Sequence, residues 1–133
     1  MTQRTLRLDV EQRIKTWAAS KSPAIAVAYE GVPFNKPNTE WIELYIIPAV
    51  TVNSTLETKR KTLRGSIQIN IYTKDGTGTK KAELLADELI ALFPPTIKTP
   101  VLCIEQTGHI MNHVNDAQWR VTPVRFEYRQ EDY

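Results

Sequence analysis

The sequence predicts an α+β fold, a mostly antiparallel sheet of about five strands with two helices packed on one face. Three observations predict it. Apolar residues recur at helical spacing in two segments, "LRLDVEQRIKTWAA" and "KKAELLADELIALF". The strand-like segments follow one another in runs, which favours an antiparallel sheet over a parallel βαβ arrangement. The chain has 133 residues, 41% of them hydrophobic, the size of one domain around a single core, so residues 1–133 are read as one domain.

The first helix, over residues 6–19, places Leu6, Val10, Ile14, Trp17 and Ala18 on one stripe, with Arg7, Glu11, Arg13 and Lys15 elsewhere around it. Pro23 ends it, because a residue before proline is driven out of the α region. "AIAVAYEG" reads as a short strand closed by Gly31, and "VPFNKPNTE" as an exposed loop. "WIELYIIPAVTVN" alternates, with Trp41, Glu43, Tyr45 and Ile47 to one side and Ile42, Leu44 and Ile46 to the other, and bends near Pro48. "STLETKRKTLRG" is polar and basic and reads as a flexible connection. "SIQINIYT" then sets Ile67, Ile69 and Ile71 on one face and Gln68, Asn70 and Tyr72 on the other.

"KDGTGT" is a turn, and the second helix follows over residues 80–93, with Ala82, Leu85, Ala86, Leu89, Ile90 and Phe93 in a stripe and Pro94 and Pro95 as its stop. A strand at "PVLCIEQ", a polar stretch "GHIMNHVND" and a long strand at "WRVTPVRFEYR" complete the chain. Val124, Phe126 and Tyr128 share a face of that last strand, and Pro123 marks a bulge or an edge.

Candidate chemical sites fail on spacing. Gly76 and Gly78 lie two apart and are followed by Thr79, Lys80 and Lys81, which matches neither the Walker loop nor the dinucleotide fingerprint. The turn is read as a change of direction in which Thr77 or Thr79 caps the helix. His109 and His113 are four apart, yet "HIMNH" lacks the glutamate of a zinc-protease helix, so both are read as polar surface or interface histidines. None of the four serines stands in a G-x-S-x-G elbow. No catalytic residue, cofactor site or metal site is expected, and an enzyme is not.

Seventeen Lys and Arg against fifteen Asp and Glu leave a net charge of +2, far from the basic excess of a typical nucleic-acid binder. No uncharged apolar run reaches membrane-spanning length, and the lone Cys103 is read as a buried structural thiol in a reducing compartment. The one concentration of charge is "KRKTLR", with Lys59, Arg60, Lys61 and Arg64. It is read either as a solvated loop or as a contact for an acidic protein surface or a phosphate backbone. No aromatic residue among these cations could stack a base, which keeps nucleic-acid binding through residues 59–64 as the alternative reading.

"RGSIQINIYTKDGTGTKKAELLADELIALFPP" resembles a group of small prophage-encoded proteins similar to the tail terminator of phage lambda. The matching positions are Gly65, Ile67 and Gln68 in a strand, Gly76 and Gly78 in the turn, and Ala82, Leu85, Ala86, Asp87 and Phe93 in the helix. The N-terminal helix and "WIELYIIPA" suit the same pattern. The resemblance implies a structural protomer without a catalytic residue, which assembles into a ring, commonly a hexamer. Such a ring sits on the last ring of the tail tube, stops its growth and offers a surface to the head. The implied partners are further copies of the chain, the major tail tube protein and head-tail connector proteins, with no membrane. The implied location is the virion tail, reached from the host cytoplasm, where protomers can stay monomeric until a tube templates them.

On physical grounds, a single-layer sheet with helices on one face leaves its other face and its edges in need of cover. Trp41, Tyr45, Gln68, Asn70 and Tyr72 are expected to form a mixed aromatic and polar outer surface there. With Lys59, Arg60, Lys61 and Arg64, the aromatic residues Trp41, Tyr45 and Tyr72 are the candidate partner-binding set, and Arg60→Glu is expected to impair assembly.

Overall fold

The computed structural model describes residues 3–21, 24–49, 52–53, 61–74, 76, 79–99 and 102–132. Two helices, α1 (Gln3–Ser20) and α2 (Lys80–Leu92), accompany strands β1 (Ala26–Ala28), β2 (Trp41–Pro48), β3 (Val52–Asn53), β4 (Lys61–Lys74), β5 (Cys103–Ile104), β6 (His109–Ile110), β7 (Val114–Asp116) and β8 (Trp119–Asp132). The α+β class stands. The sheet itself corrects the expectation of about five mostly antiparallel strands: it is mixed and has eight strands among the described residues, because β1 runs parallel to β2 and three short pieces line the far side of β8.

The centre is the long pair β4 and β8, antiparallel from Lys61 opposite Asp132 to Lys74 opposite Trp119. β2 pairs with the other side of β4, from Trp41 opposite Tyr72 to Pro48 opposite Gly65. The segment expected to be a flexible connection therefore enters the sheet early: Lys61 to Arg64 belong to β4, held between β8 and, at residues 61 and 62, β3. Backbone pairing depends little on side-chain polarity, so a basic run can extend a ladder that its neighbours complete.

One face carries the core. Ile42, Leu44 and Ile46 of β2, Ile67, Ile69 and Ile71 of β4, and Val124, Phe126 and Tyr128 of β8 form one buried cluster with Leu6, Val10 and Ile14 of α1 and Leu85, Ala86 and Leu89 of α2. Alternation puts the strand residues on one side, and the helical stripes cover them. Each large side chain so buried contributes on the order of 1.5–3 kcal/mol. Lys21 Nζ, 2.6 Å from Glu88 Oε1, ties the end of α1 to α2, and Arg7 Nη1 donates to Glu30 Oε1 at 3.0 Å.

Two smaller expectations change. Thr79 does occupy the cap position of α2, but its side chain makes no capping bond; its carbonyl accepts the first helical bond from the Glu83 amide at 3.0 Å. Thr77 lies outside the described residues. Cys103 is half-buried rather than buried, its thiol donating to the Thr99 carbonyl at 3.3 Å.

Pro123 sits inside the register with β4, opposite Asn70. A residue's amide and carbonyl point the same way in a strand, and the Pro123 carbonyl accepts from the Met111 amide on the far side. The missing donor thus faces the stretch between β6 and β7, where the pairing with β8 slips by one residue. The bulge expected at Pro123 is in the neighbouring strand.

Gly65 is fixed by close approach. A β-carbon there would lie 2.6 Å from the Tyr128 hydroxyl and against the Ile47 carbonyl. Gly65→Val should therefore destabilise the fold by about 1–3 kcal/mol, the cost of forcing volume into a packed core. Urea unfolding with an unchanged slope and an earlier midpoint would verify it.

Candidate protein-contact surface

The second face of the sheet is built from the residues that alternate with the core set. Cross-strand pairing lines them up in rows: Trp41 with Tyr72 and Val121, Glu43 with Asn70 and Pro123, Tyr45 with Gln68 and Arg125, Ile47 with Ser66 and Glu127. His109 extends the Tyr45 row beyond Arg125, and Arg64 lies directly opposite Arg129.

The aromatic end of this face is covered, which corrects the expected outer surface. Trp41 is 2% exposed and Tyr72 8%. Their rings stack 3.8 Å apart with planes 8° from parallel, and Trp119 meets both edge-on at 6.2 and 6.5 Å. Phe34, from the loop between β1 and β2, closes over Trp41 at 5.1 Å, and Ala26, Ala28 and Val121 complete a second, smaller core. These aromatic groups are packing residues at the surface of the sheet, not exposed rings.

Beside that cluster, Glu43 gathers three donors. The Tyr72 hydroxyl donates to Oε1 at 2.6 Å, Asn70 Nδ2 to the same oxygen at 3.3 Å, and the Tyr45 hydroxyl to Oε2 at 3.1 Å. Gln68 Nε2 extends the chain by donating to Asn70 Oδ1 at 3.0 Å. Burial first, and then the hydrogen bond to Glu43 and its negative charge, push the Tyr72 phenol far above its ordinary value. Burial, then the charge of Glu43, raises Tyr45 as well. Both phenols stay protonated at neutral pH and act as donors, so the network is a fixed polar platform. An open groove of about 430 Å³ lies over it, between Glu30, Phe34 and Lys36 on the loop side and Trp41, Glu43 and Tyr45 on the strand side.

The edge of β2 beyond its short pairing with β1 is capped by a side chain. Glu30 Oε1 accepts from the Ile46 amide at 2.8 Å, and Pro48 follows two residues later. A carboxylate on the amide and a proline in the row are devices that discourage strand addition at this edge.

The other end of the face is open and cationic. Arg64 is exposed, Arg125 and Arg129 are half-buried, and Tyr45 and Ile47 stand 36% and 41% exposed next to them. Arg64 and Arg129 are like charges placed directly across two strands, an unfavourable arrangement in isolation. Glu127 Oε1 is 3.8 Å from Arg125 Nε, too long for a hydrogen bond, and that Nε has no hydrogen-bond partner among the described residues. Glu127 Oε2 instead accepts from the Ser66 hydroxyl at 3.0 Å.

Of the seven residues singled out from sequence, Tyr45 and Arg64 are therefore on the surface, Trp41 and Tyr72 are beneath it, and Lys61 lies on β4 opposite Asp132. Lys59 and Arg60 lie outside the described residues. Arg125 and Arg129 were missed, although "VRFEYR" carries the signal: the alternation that buries Val124, Phe126 and Tyr128 must turn Arg125, Glu127 and Arg129 outward. His109 and His113 are exposed, and no group of three metal-ligating side chains occurs among the described residues. Among the described residues, no helix is long and apolar enough to cross a membrane.

A half-covered sheet face that presents aromatic, aliphatic and guanidinium groups is the equipment of a protein that works by contact. Comparison with known proteins places it further. The chain belongs to the phage tail terminator protein family, whose model matches residues 5–128. Ten solved chains match it, among them one without a descriptive name that is 25% identical, covers all of this chain over 98% of its own length and superposes with a TM-score of 0.83. No curated protein matches. Members of the family are structural rather than enzymatic, so this is a structural protein of the phage tail that meets other tail or head-tail components.

Proposed function

We propose that the chain, acting as one domain, assembles into a ring, a hexamer in the finished tail, that caps the last ring of the tail tube, stops its growth and helps join tail to head. What supports the reading is the outer sheet face: one end is packed shut by Trp41, Tyr72 and Trp119, and the other leaves Tyr45, Ile47 and the arginines of β4 and β8 to solvent. In this reading Tyr45 and Arg64 make contact with partners, together with Lys59, Arg60 and Lys61, while Trp41 and Tyr72 hold the platform from beneath. The protein acts on the tube and on connector proteins, in the cytoplasm of the host until the virion tail is complete. Binding to nucleic acid through the same cations is less well served, because Trp41, Tyr72 and Trp119 are buried, the one exposed ring of this face, Tyr45, is tied to the carboxylate of Glu43, and Glu127 interrupts the arginines.

The experiment is polymerisation of the major tail tube protein with and without this chain, read as tube length by negative-stain electron microscopy. Tubes should stop short when the protein is present, and Arg64→Glu, an exposed position, should restore growth while leaving the melting temperature within a few degrees of the parent. Tubes of unchanged length with the unmodified protein would refute the proposal.

A further inference from the structure

We propose that the ring is closed by an α2-to-sheet contact: the outer stripe of α2 in one copy docks on the arginine strip of β4 and β8 in the next. This rests on the ring reading above and adds which surfaces meet. On α2 the exposed residues Leu84, Asp87 and Ala91 recur at three- and four-residue spacing and share one side of the helix, with Glu83 four residues before Asp87. Leu84 is 56% exposed, and Glu83 and Asp87 are exposed beside it. Two carboxylates at that spacing repel each other, as Arg64 and Arg129 do across β4 and β8. The molecule thus carries an acidic pair on α2, with the exposed Lys80 at its N-terminal end, and an arginine strip interrupted by Glu127, each next to exposed apolar groups: Leu84 and Ala91 with the acids, Tyr45 and Ile47 with the arginines.

The placement supplies the symmetry. α2 packs on the core face of β4 and β8, and the arginines project from the opposite face of those same strands. Complementary patches on opposite sides of one wedge produce a heterologous, head-to-tail contact, which yields a ring when its rotation closes. A pair of patches on one face would instead favour a two-fold dimer. The occupant of the arginine strip is accordingly a second copy of this chain, recognised by charge complementarity with an apolar anchor.

The test uses the full chain with Cys103→Ser, carrying Asp87→Cys and Arg125→Cys either singly or together, under mild oxidation and analysed on a non-reducing gel. The double variant is expected to give a ladder that extends beyond dimer and ends at one closed species, and each single variant is expected to stay monomeric. Dimers from one single-cysteine variant would show a two-fold contact and overturn the inference. An equimolar mixture of Asp87→Arg and Arg125→Glu provides the second measurement. Each variant alone should fail to assemble on tail tubes, and the mixture should recover, because both junctions then pair opposite charges. If both charge variants assemble like the parent, or if the strip instead captures the tube protein without any ladder, the α2 contact is wrong although the ring stands. If the parent itself never caps a tube, the ring reading falls first and this inference with it.

Discussion

Phe126→Ala should cost about 3–5 kcal/mol of stability, close to the entire margin of many small domains. Phe126 is 1% exposed in the middle of β8, opposite Ile67 of β4, and its ring lies 5.2 Å from that of Phe93 just beyond α2. Its removal opens a cavity where helix and sheet meet, and Gly108 lies so close to the ring that a β-carbon there would overlap it. Thermal unfolding followed by circular dichroism should show a melting temperature lowered by well over 10 °C, or a chain that no longer folds. A shift of only a few degrees would mean that the core is less tightly built than its burial indicates.

Trp41→Ala should be nearly as damaging, about 3–5 kcal/mol, although the residue lies on the opposite face from the main core. The indole bridges Tyr72, Trp119 and Phe34, and its loss would open the second cluster and free the loop over β2. The distinguishing measurement is to compare stability with tube capping in Trp41→Phe, which retains a ring. Recovery of most of the stability together with normal capping is expected if Trp41 works by packing. Normal stability with lost capping would make Trp41 a direct contact instead.

The elements that alternate or repeat over many residues were legible in the sequence. Ile67, Ile69 and Ile71, and the stripes of both helices, lie where their spacing puts them. Periodicity states which residues share a face and is silent on what returns to cover it. Tyr72 and Trp41 were correctly assigned to the outer face, yet Phe34, in a proline-rich loop with no periodicity of its own, and Trp119 at the start of β8 bury them. Of the strands of two or three residues, β1, β3 and β5 fall within segments expected to be strands, whereas β6 and β7 are too short to carry a period, and the parallel pairing of β1 depends on a register that no local pattern encodes. The part of "KRKTLR" from Lys61 to Arg64 misled for a related reason. Its polarity suits a loop, whereas its place in β4 follows from pairing with the distant β8, Lys61 lying opposite Asp132. The arginines of β8 were the readable part of the surface that went unread, since their alternation with Val124, Phe126 and Tyr128 is complete.

In the proposed role this chain acts as an assembled cap, through protein contacts alone. Cryo-electron microscopy of tail tubes incubated with the purified protein tests it most directly. One closed ring of copies at a single end of each tube, with the arginine face of each protomer covered, is the predicted result. Protein scattered along the tube wall, or tube ends left bare at saturating concentration, would contradict it.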